Sequence, residues 1–247
     1  MKKKYTLGSL FSGIGGLELG LEMTGRFKTA WQSEIDPFCQ GVLARNFPHS
    51  IQLGDIEKIN GNEIKTVDVI CGGFPCQDIS TAGRQLGLAG ARSGLFFRAM
   101  DIVREVKPKC VILENVRNIL NKGFEHVLRS FSDIGYNVEW QCISASRLGY
   151  CHKRERVFII AYTSGIRQPR PWTLGEPVDP AASDHREAGR FVDAFQRKAL
   201  PYLCAEHDGV DTDTSVAIMK ALGNAVVPDV ARVVGNRVLE VLEPGAK

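Results

Sequence analysis

The sequence predicts an α/β fold in which helices flank a parallel β-sheet. From residue 5 to about 161, short apolar and β-branched runs alternate with stretches of helical period. A glycine-rich turn follows the first of these runs, as at the start of many nucleotide-binding sheets. The 247 residues suffice for one sizeable α/β core and a small appendage, but two full domains would be crowded.

The elements can be assigned in chain order from this alternation. Strands are predicted at Tyr5–Leu10, Thr29–Ser33, Val67–Cys71, Cys110–Leu113, Val138–Ser144 and Val157–Ala161. Helices are predicted between them, at Gly16–Met23, Pro37–Asn46, Leu95–Val106 and Phe124–Ile134. Proline and glycine then become frequent after Thr163, and helical spacing returns after Pro228. We therefore predict a catalytic part at 1–162, an irregular segment at 163–215 and a returning part at 216–247.

Composition bounds the class of protein and its partners. Hydrophobic residues make up 44% and charged residues 24%, as in ordinary globular proteins. The apolar run at Tyr5–Leu10 is too short for a signal peptide or a spanning helix, so we expect a cytoplasmic protein without a membrane partner. Seven scattered cysteines without a CxxC pair favour reduced thiols and no metal. The net charge of +3 permits a nucleic-acid partner without requiring one, and a monomer is favoured.

Two strand ends indicate a nucleoside site. The first strand runs into the glycine turn Phe11–Gly16, where a ligand can approach the backbone. The second strand ends near Glu34, whose carboxylate can accept hydrogen bonds from ribose hydroxyls. Asp55 after the third strand position could accept from an adenine amino group. A tight turn without a ligand, and Asp55 as a helix cap, remain alternatives.

The residues that suggest catalysis follow the next two strands. Cys76 stands on the loop Gly72–Ser80, after the strand Val67–Cys71, and Glu114 ends the strand that begins at Cys110. Because the carboxyl ends of parallel strands meet at one edge of a sheet, a thiol and an acid are expected there together. Such a pair can act as nucleophile and general acid. Taken alone, Cys76 would more often be a buried apolar residue.

Five motifs together resemble a known family. In chain order they are Phe11–Gly16, Gly73–Gln77, Glu114–Val116, His152–Arg156 and Gly223–Val226. This order is similar to that of bacterial and phage cytosine-5 DNA methyltransferases, over roughly residues 5–162 and 219–240. The resemblance implies a Rossmann-like, S-adenosylmethionine-dependent methyltransferase fold, duplex DNA as substrate, and a possible cognate restriction endonuclease as partner.

The resemblance also implies roles for the matching residues. Cys76 would be the covalent nucleophile, Glu114 the acid on the cytosine ring, and Arg154 and Arg156 the arginines beside the flipped base. Cofactor contacts are implied for Phe11, Gly13, Ile14, Gly15, Gly16, Glu34, Ile35, Asp55, Ile56, Pro75, Leu95, Asn224 and Ala225. Contacts with DNA are expected from Gln77, Ser80, Arg84, Arg92, Arg167 and Arg170, although acidic neighbours in the segment after Thr163 make a solvated face an alternative for its arginines.

Three departures from the family pattern stand out. Ile35 occupies the position of a common Trp, so aliphatic contact would replace stacking on adenine. His152 stands where Gln is common, and the segment between Tyr162 and Val216 is much shorter than the usual recognition domain.

Three other functions are alternatives for this sequence. An RNA cytosine-5 methyltransferase would keep the fold and the chemistry, but its Cys-Phe-Thr signature is absent from the sequence. A catalytically idle DNA-binding protein would not need Cys76 and Glu114. A nicotinamide oxidoreductase is disfavoured by the glycine spacing.

Overall fold

A computed structural model describes residues 3–75, 94–150, 153–166, 170–174, 217 and 220–244. Its strands are β1 Tyr5–Leu10, β2 Phe27–Ser33, β3 Ile51–Gln52, β4 Val69–Gly73, β5 Cys110–Val116, β6 Tyr136–Ser144 and β7 Glu155–Thr163. Its α-helices are α1 Gly16–Glu22, α2 Pro37–Asn46, α3 Leu95–Val106, α4 Phe124–Ser132 and α5 Pro228–Leu242. Short 3-10 helices occupy Ile56–Lys58, Arg117–Asn121 and Ala145–Leu148.

The seven strands form one sheet in the order β3-β2-β1-β4-β5-β7-β6. The pairs among β1 to β5 are parallel, as the alternation of strands and helices predicts. At the far side the expectation of a parallel sheet was wrong, because β7 pairs antiparallel with both β5 and β6. Since β6 and β7 are joined by a short connection, they pair as neighbours in sequence rather than through a crossover helix.

Local signals explain why several helices begin and end where the sequence predicts. Asp36 caps α2, because its Oδ1 accepts hydrogen bonds from the backbone N–H groups of Phe38 and Cys39, and Pro37 fills the first turn. Lys107 ends α3 in the left-handed conformation. Like Pro37 in α2, Pro228 stands in the first turn of its helix, α5.

The core lies on both faces of the sheet. On one face α1 and α5 cover the middle strands, and Val69, Ile112 and Val234 are fully buried there. The opposite face is covered by α3 and α4, with Phe96 and Phe131 buried against it. Burial of apolar surface on both faces is what makes the central strands continuous apolar runs.

The structure describes little of the predicted irregular segment. Of residues 163–215 it includes only 163–166 and 170–174, so the proposed domain boundaries stay predictions. Among the described helices, none is long and apolar enough to cross a membrane. The described residues contain no group of three or more His, Cys, Asp or Glu side chains arranged to hold a metal ion.

Candidate active site

The candidate site lies at the carboxyl edge of the parallel strands. β1 pairs with β2 on one side and with β4 on the other. Helix α1, which follows β1, covers one face of the sheet, and helix α3, which follows β4, covers the opposite face. Such a reversal of strand order opens a crevice at the carboxyl ends, which is where open α/β sheets bind ligands.

The glycine turn after β1 shapes the floor of this crevice. Phe11, Gly13 and Gly15 all have positive φ angles, of 55°, 55° and 85°. A side chain built on Gly13 would find no atom within 4 Å, so its backbone faces open space. Gly15 then caps α1, and its N–H donates to the carbonyl of Ser12 over 2.9 Å. The turn thus presents backbone to a space that a ligand could fill.

Glu34 ties the end of β2 to this turn. Its Oε2 accepts a hydrogen bond from Gly13 N at 2.7 Å, and its Oε1 accepts from the N–H groups of Ile35 and Asp36, each at 2.9 Å. The side chain of Ile35 is 68% exposed beside it. Asp55 is a capping residue of the following 3-10 helix, because its Oδ1 accepts from Glu57 N at 3.0 Å. Ile56 in that helix is buried in the core.

The C-terminal part of the chain returns to the same turn. Ala225 packs in a small apolar cluster with Ile14, while Asn224 is exposed. At Gly16 the approach is so close that an added Cβ would lie 2.3 Å from the carbonyl oxygen of Val226. The structure therefore brings the predicted cofactor residues of both chain ends together.

The loop that leads to Cys76 is anchored by Asn115. The buried Asn115 donates from Nδ2 to the carbonyl of Phe74 at 2.8 Å, and its Oδ1 accepts from Val116 N at 2.9 Å. Phe74 is itself buried against Phe96. Pro75 is exposed at the edge, and Cys76 lies outside the described residues.

A carboxyl group and two guanidinium groups meet next to this loop. Glu114 is 8% exposed near the end of β5, where its Cα pairs with that of Gly73. Arg156 Nε lies 2.9 Å from Glu114 Oε1, although without the angle of a hydrogen bond. Within the described part of the chain, Nε and Nη2 of Arg154 are buried without a hydrogen-bond partner. Donors left in this state are suited to bind a polar ligand.

The environment sets the charge of these groups. Burial raises the pKa of Glu114, and the nearby Arg156 and Arg154 only partly offset this effect. Burial and the neighbouring Arg156 lower the pKa of Arg154. A carboxyl group with a raised pKa can hold a proton near neutral pH, which a general acid requires.

Comparison with known proteins agrees with this geometry. Residues 5–194 match the sequence model of the C-5 cytosine-specific DNA methylase family. The chain belongs to this family. The match includes the glycine turn, the Cys76 loop, Glu114 and the strand with Arg156.

Several curated relatives are type II methyltransferases. M1.ScrFI of Lactococcus lactis subsp. cremoris is 39% identical over 166 residues, which are 64% of this chain and 42% of that protein. M.HhaI of Haemophilus parahaemolyticus is 34% identical, over 77% of this chain and 60% of that protein. M.AquIA of a Picosynechococcus strain is 32% identical, over 86% and 89%. The matched part of the chain spans about half the length of several curated type II methyltransferases, M1.ScrFI among them.

Solved structures share the fold of this chain. The S. pombe Dnmt2 methyltransferase superposes with a TM-score of 0.67 over 97% of this chain and 100% of its own, at 15% identity. A Spodoptera frugiperda DNMT2 mutant superposes with a TM-score of 0.59 over 72% of this chain and 56% of its own, at 21% identity. These similarities support the Rossmann-like methyltransferase fold.

The structure also describes Leu95 and Arg170, whose roles at the site stay predictions. Leu95 is half-buried at the start of α3 and packs against the core. The side chain of Arg170 is exposed, and its backbone carbonyl accepts a hydrogen bond from Arg237, which forms a bidentate pair with Glu139 in the middle of β6. The remaining predicted DNA contacts, Gln77, Ser80, Arg84, Arg92 and Arg167, lie outside the described residues.

Two further contacts near the site were not predicted. Tyr150, just before the strand with Arg156, donates a hydrogen bond to Asp229 of α5 at 2.7 Å. The motif Glu114–Val116 includes Asn115 but does not indicate the hydrogen bond from Asn115 to the carbonyl of Phe74. Neither contact has a signal in the sequence, because both join residues that are far apart in the chain.

Proposed function

We propose that the chain is a DNA cytosine-5 methyltransferase that uses S-adenosylmethionine and methylates a flipped-out cytosine in a specific duplex sequence. A role in restriction and modification, or in phage self-protection, fits this activity. The observation that carries the proposal is the buried Glu114, which lies beside Arg156 and one strand away from the loop to Cys76. An acid in this position can act on a ring that the thiol attacks.

The residues of the crevice fit the proposed cofactor. The open backbone at Gly13 would hold its methionine portion, and Glu34 could accept from ribose hydroxyls after its contact with Gly13 N is rearranged. The exposed Ile35 offers an apolar contact to adenine, and Asp55 has a second carboxylate oxygen for its amino group. When bound, the cofactor supplies an electrophilic methyl group on its sulfonium sulfur.

The chain's own residues activate the cytosine. The Cys76 thiolate forms a bond to carbon 6, while Glu114 provides a proton or hydrogen bond at ring nitrogen 3. The ring then carries its electron density at carbon 5. Arg156 contacts Glu114, and the charges of Arg156 and Arg154 near this carboxyl group can balance charge on the ring. After methylation, loss of the proton on carbon 5 expels Cys76. Because duplex DNA hides carbon 5 and carbon 6, the base must leave the stack first.

Mechanism-based trapping tests this function. Duplex DNA with 5-fluorocytosine at the target should be methylated once and should then stay bonded to Cys76, because fluorine cannot leave carbon 5 as a cation. The adduct should survive denaturing electrophoresis and should require S-adenosylmethionine. Bisulfite sequencing of DNA from expressing cells identifies the target sequence for this assay.

Matched cysteine variants make the test specific. Cys76→Ser should abolish the adduct while DNA binding persists, since phosphate contacts dominate affinity. Cys71→Ser, on the adjoining strand, should still permit trapping. An adduct with Cys76→Ser would show that another residue is the nucleophile. If active wild-type protein methylated the fluorinated DNA without trapping, the covalent mechanism would be wrong. Methyl uptake by transfer RNA but not by duplex DNA would identify an RNA enzyme.

A further inference from the structure

We propose that Glu18 is a carboxylic acid that keeps its proton at neutral pH and positions the glycine turn through Ser9 and Ser12. Its consequence for cofactor binding rests on the function proposed above. Glu18 lies in the first turn of α1 and takes no part in the proposed chemistry.

Glu18 is completely enclosed by the protein. Its exposed fraction is 0%, and its Oε1 accepts a hydrogen bond from Nε2 of Gln32 at 3.1 Å. Its Oε2 is buried without a hydrogen-bond partner among the described residues. A bare carboxylate oxygen enclosed in this way loses its hydration without compensation, whereas a protonated carboxyl group carries no net charge.

Among the residues that the structure describes, no cation compensates for the charge of an ionised Glu18. Each neighbouring element contributes uncharged groups instead: Ser9 and Ser12 come from β1 and its turn, Gln32 from β2 and the Cys71 thiol from β4. Glu18 forms no ion pair with any described Lys, Arg or His. On its own helix, the backbone N–H of Glu18 favours the ionised form, as do the serine hydroxyls.

Burial outweighs these favourable contacts. Desolvation is the largest effect on Glu18 and raises its pKa, while the nearby polar groups of Ser9, Gln32 and Ser12 lower it by less. Burial also raises the pKa of the neighbouring Cys71 thiol, so this neighbour brings no charge to Glu18. The neutral carboxyl group is therefore the form that this enclosure favours.

A hydroxyl pair links Glu18 to the glycine turn. Ser12 Oγ donates to Ser9 Oγ at 2.9 Å, and both hydroxyls lie beside the carboxyl group. The backbone of Ser12 is fixed at the same time, because its N–H donates to Ser33 and its carbonyl accepts from Gly15. Deprotonation of Glu18 would place a charge under this pair and disturb the turn. Glu18 is thus a positioning residue rather than a catalytic residue.

Infrared difference spectroscopy of the full chain tests the protonation directly. At neutral pH the wild type should show the carbonyl band of a buried protonated carboxyl group, and Glu18→Gln should lack this band. Glu22→Gln is the matched control, since Glu22 lies one turn later on α1 and accepts from Thr29 N near the surface. If the wild type and Glu18→Gln have the same carboxylic acid bands, Glu18 is ionised and the proposal is wrong.

Binding of S-adenosylmethionine, measured by calorimetry, tests the positioning role. Glu18→Gln keeps a neutral polar group of the same shape and should bind within about twofold of the wild type. Glu18→Leu loses the hydrogen bonds and should bind about 3- to 10-fold more weakly. Equal binding by the wild type, Glu18→Gln and Glu18→Leu would refute the positioning role of Glu18. Binding by Glu18→Gln as weak as that by Glu18→Leu would also refute it. If no protein binds the cofactor, the proposed function fails, while the infrared result still decides the state of Glu18.

Discussion

Replacement of Gly16 by alanine tests how closely α1 packs against the C-terminal part of the chain. An added Cβ would lie 2.3 Å from the carbonyl oxygen of Val226, so two backbone segments would have to separate. Overpacking of this kind costs about 1–3 kcal/mol, and improved helix propensity returns at most about 1 kcal/mol. We expect Gly16→Ala to lower the free energy of unfolding by about 1–2 kcal/mol.

Gly41→Ala is the matched control. Gly41 lies exposed in the middle of α2, and a Cβ there would find no atom within 4 Å. Its replacement should stabilise the protein by roughly 0.5–1 kcal/mol, because alanine is the better helix former. The two variants should therefore differ by about 2–3 kcal/mol in urea unfolding.

For a chain of this size, the same difference corresponds to a gap in melting temperature of roughly 4–12 °C. Calorimetry should also show weaker cofactor binding for Gly16→Ala, since Val226 directly follows Ala225. Equal melting temperatures for the two variants would contradict the close approach of Gly16 and Val226.

Further predictions concern the carboxyl groups, the Cys76 loop and the recognition segment. Glu114→Gln should slow methylation by about 10²- to 10⁴-fold with cofactor affinity nearly unchanged, whereas Glu125→Gln on the exposed face of α4 should leave the rate unaltered. A large loss of cofactor binding with normal turnover would show that Glu114 has another role. Because burial raises the pKa of Glu18 above its ordinary 4.5, the wild type should lose stability relative to Glu18→Gln as the pH rises above about 5, until the folded pKa is passed. Parallel stability curves for these two proteins would contradict a raised pKa. Asn115→Ala should reduce the turnover rate more than cofactor affinity, since it frees the carbonyl of Phe74; a rate equal to that of wild type would count against this anchoring role. Exchange of residues 163–214 for those of a relative should change the methylated sequence, and bisulfite sequencing that still finds the original target would place recognition elsewhere.

Much of the fold could be predicted because its signals are local. The bounds of α2 and α3 agree with the sequence prediction, since Asp36-Pro37 marks a helix start and α3 is strongly amphipathic. The direction of β7 could not be predicted in the same way. Its residues Val157–Ala161 are apolar without interruption, and a strand buried on both faces has the same pattern in either direction.

The site, like the fold, could be predicted only where its signals are local. Glu114 and Glu34 could be predicted to share an edge, because each directly follows a predicted strand and parallel strands end together. The enclosure of Glu18 could not, since an acid in the first turn of a helix usually indicates a helix start. Arg170 stays a predicted DNA contact, but the sequence does not indicate that its backbone carbonyl accepts a hydrogen bond from the buried Arg237 of α5, because the two residues are far apart in the chain.

The position of α5 affects how the protein can fold during synthesis. This helix covers one face of the sheet beside α1, and Glu243 just after it pairs with Tyr5 at the beginning of β1 and with Arg26 just before β2. Until Pro228–Leu242 have left the ribosome, the apolar face around Leu21 and Val69 has no cover from this helix. Nascent chains fold from the N-terminus, and exposed apolar surface promotes aggregation. A chain interrupted before Pro228 would retain every motif up to Val226 and would still lack the helix that covers this apolar face.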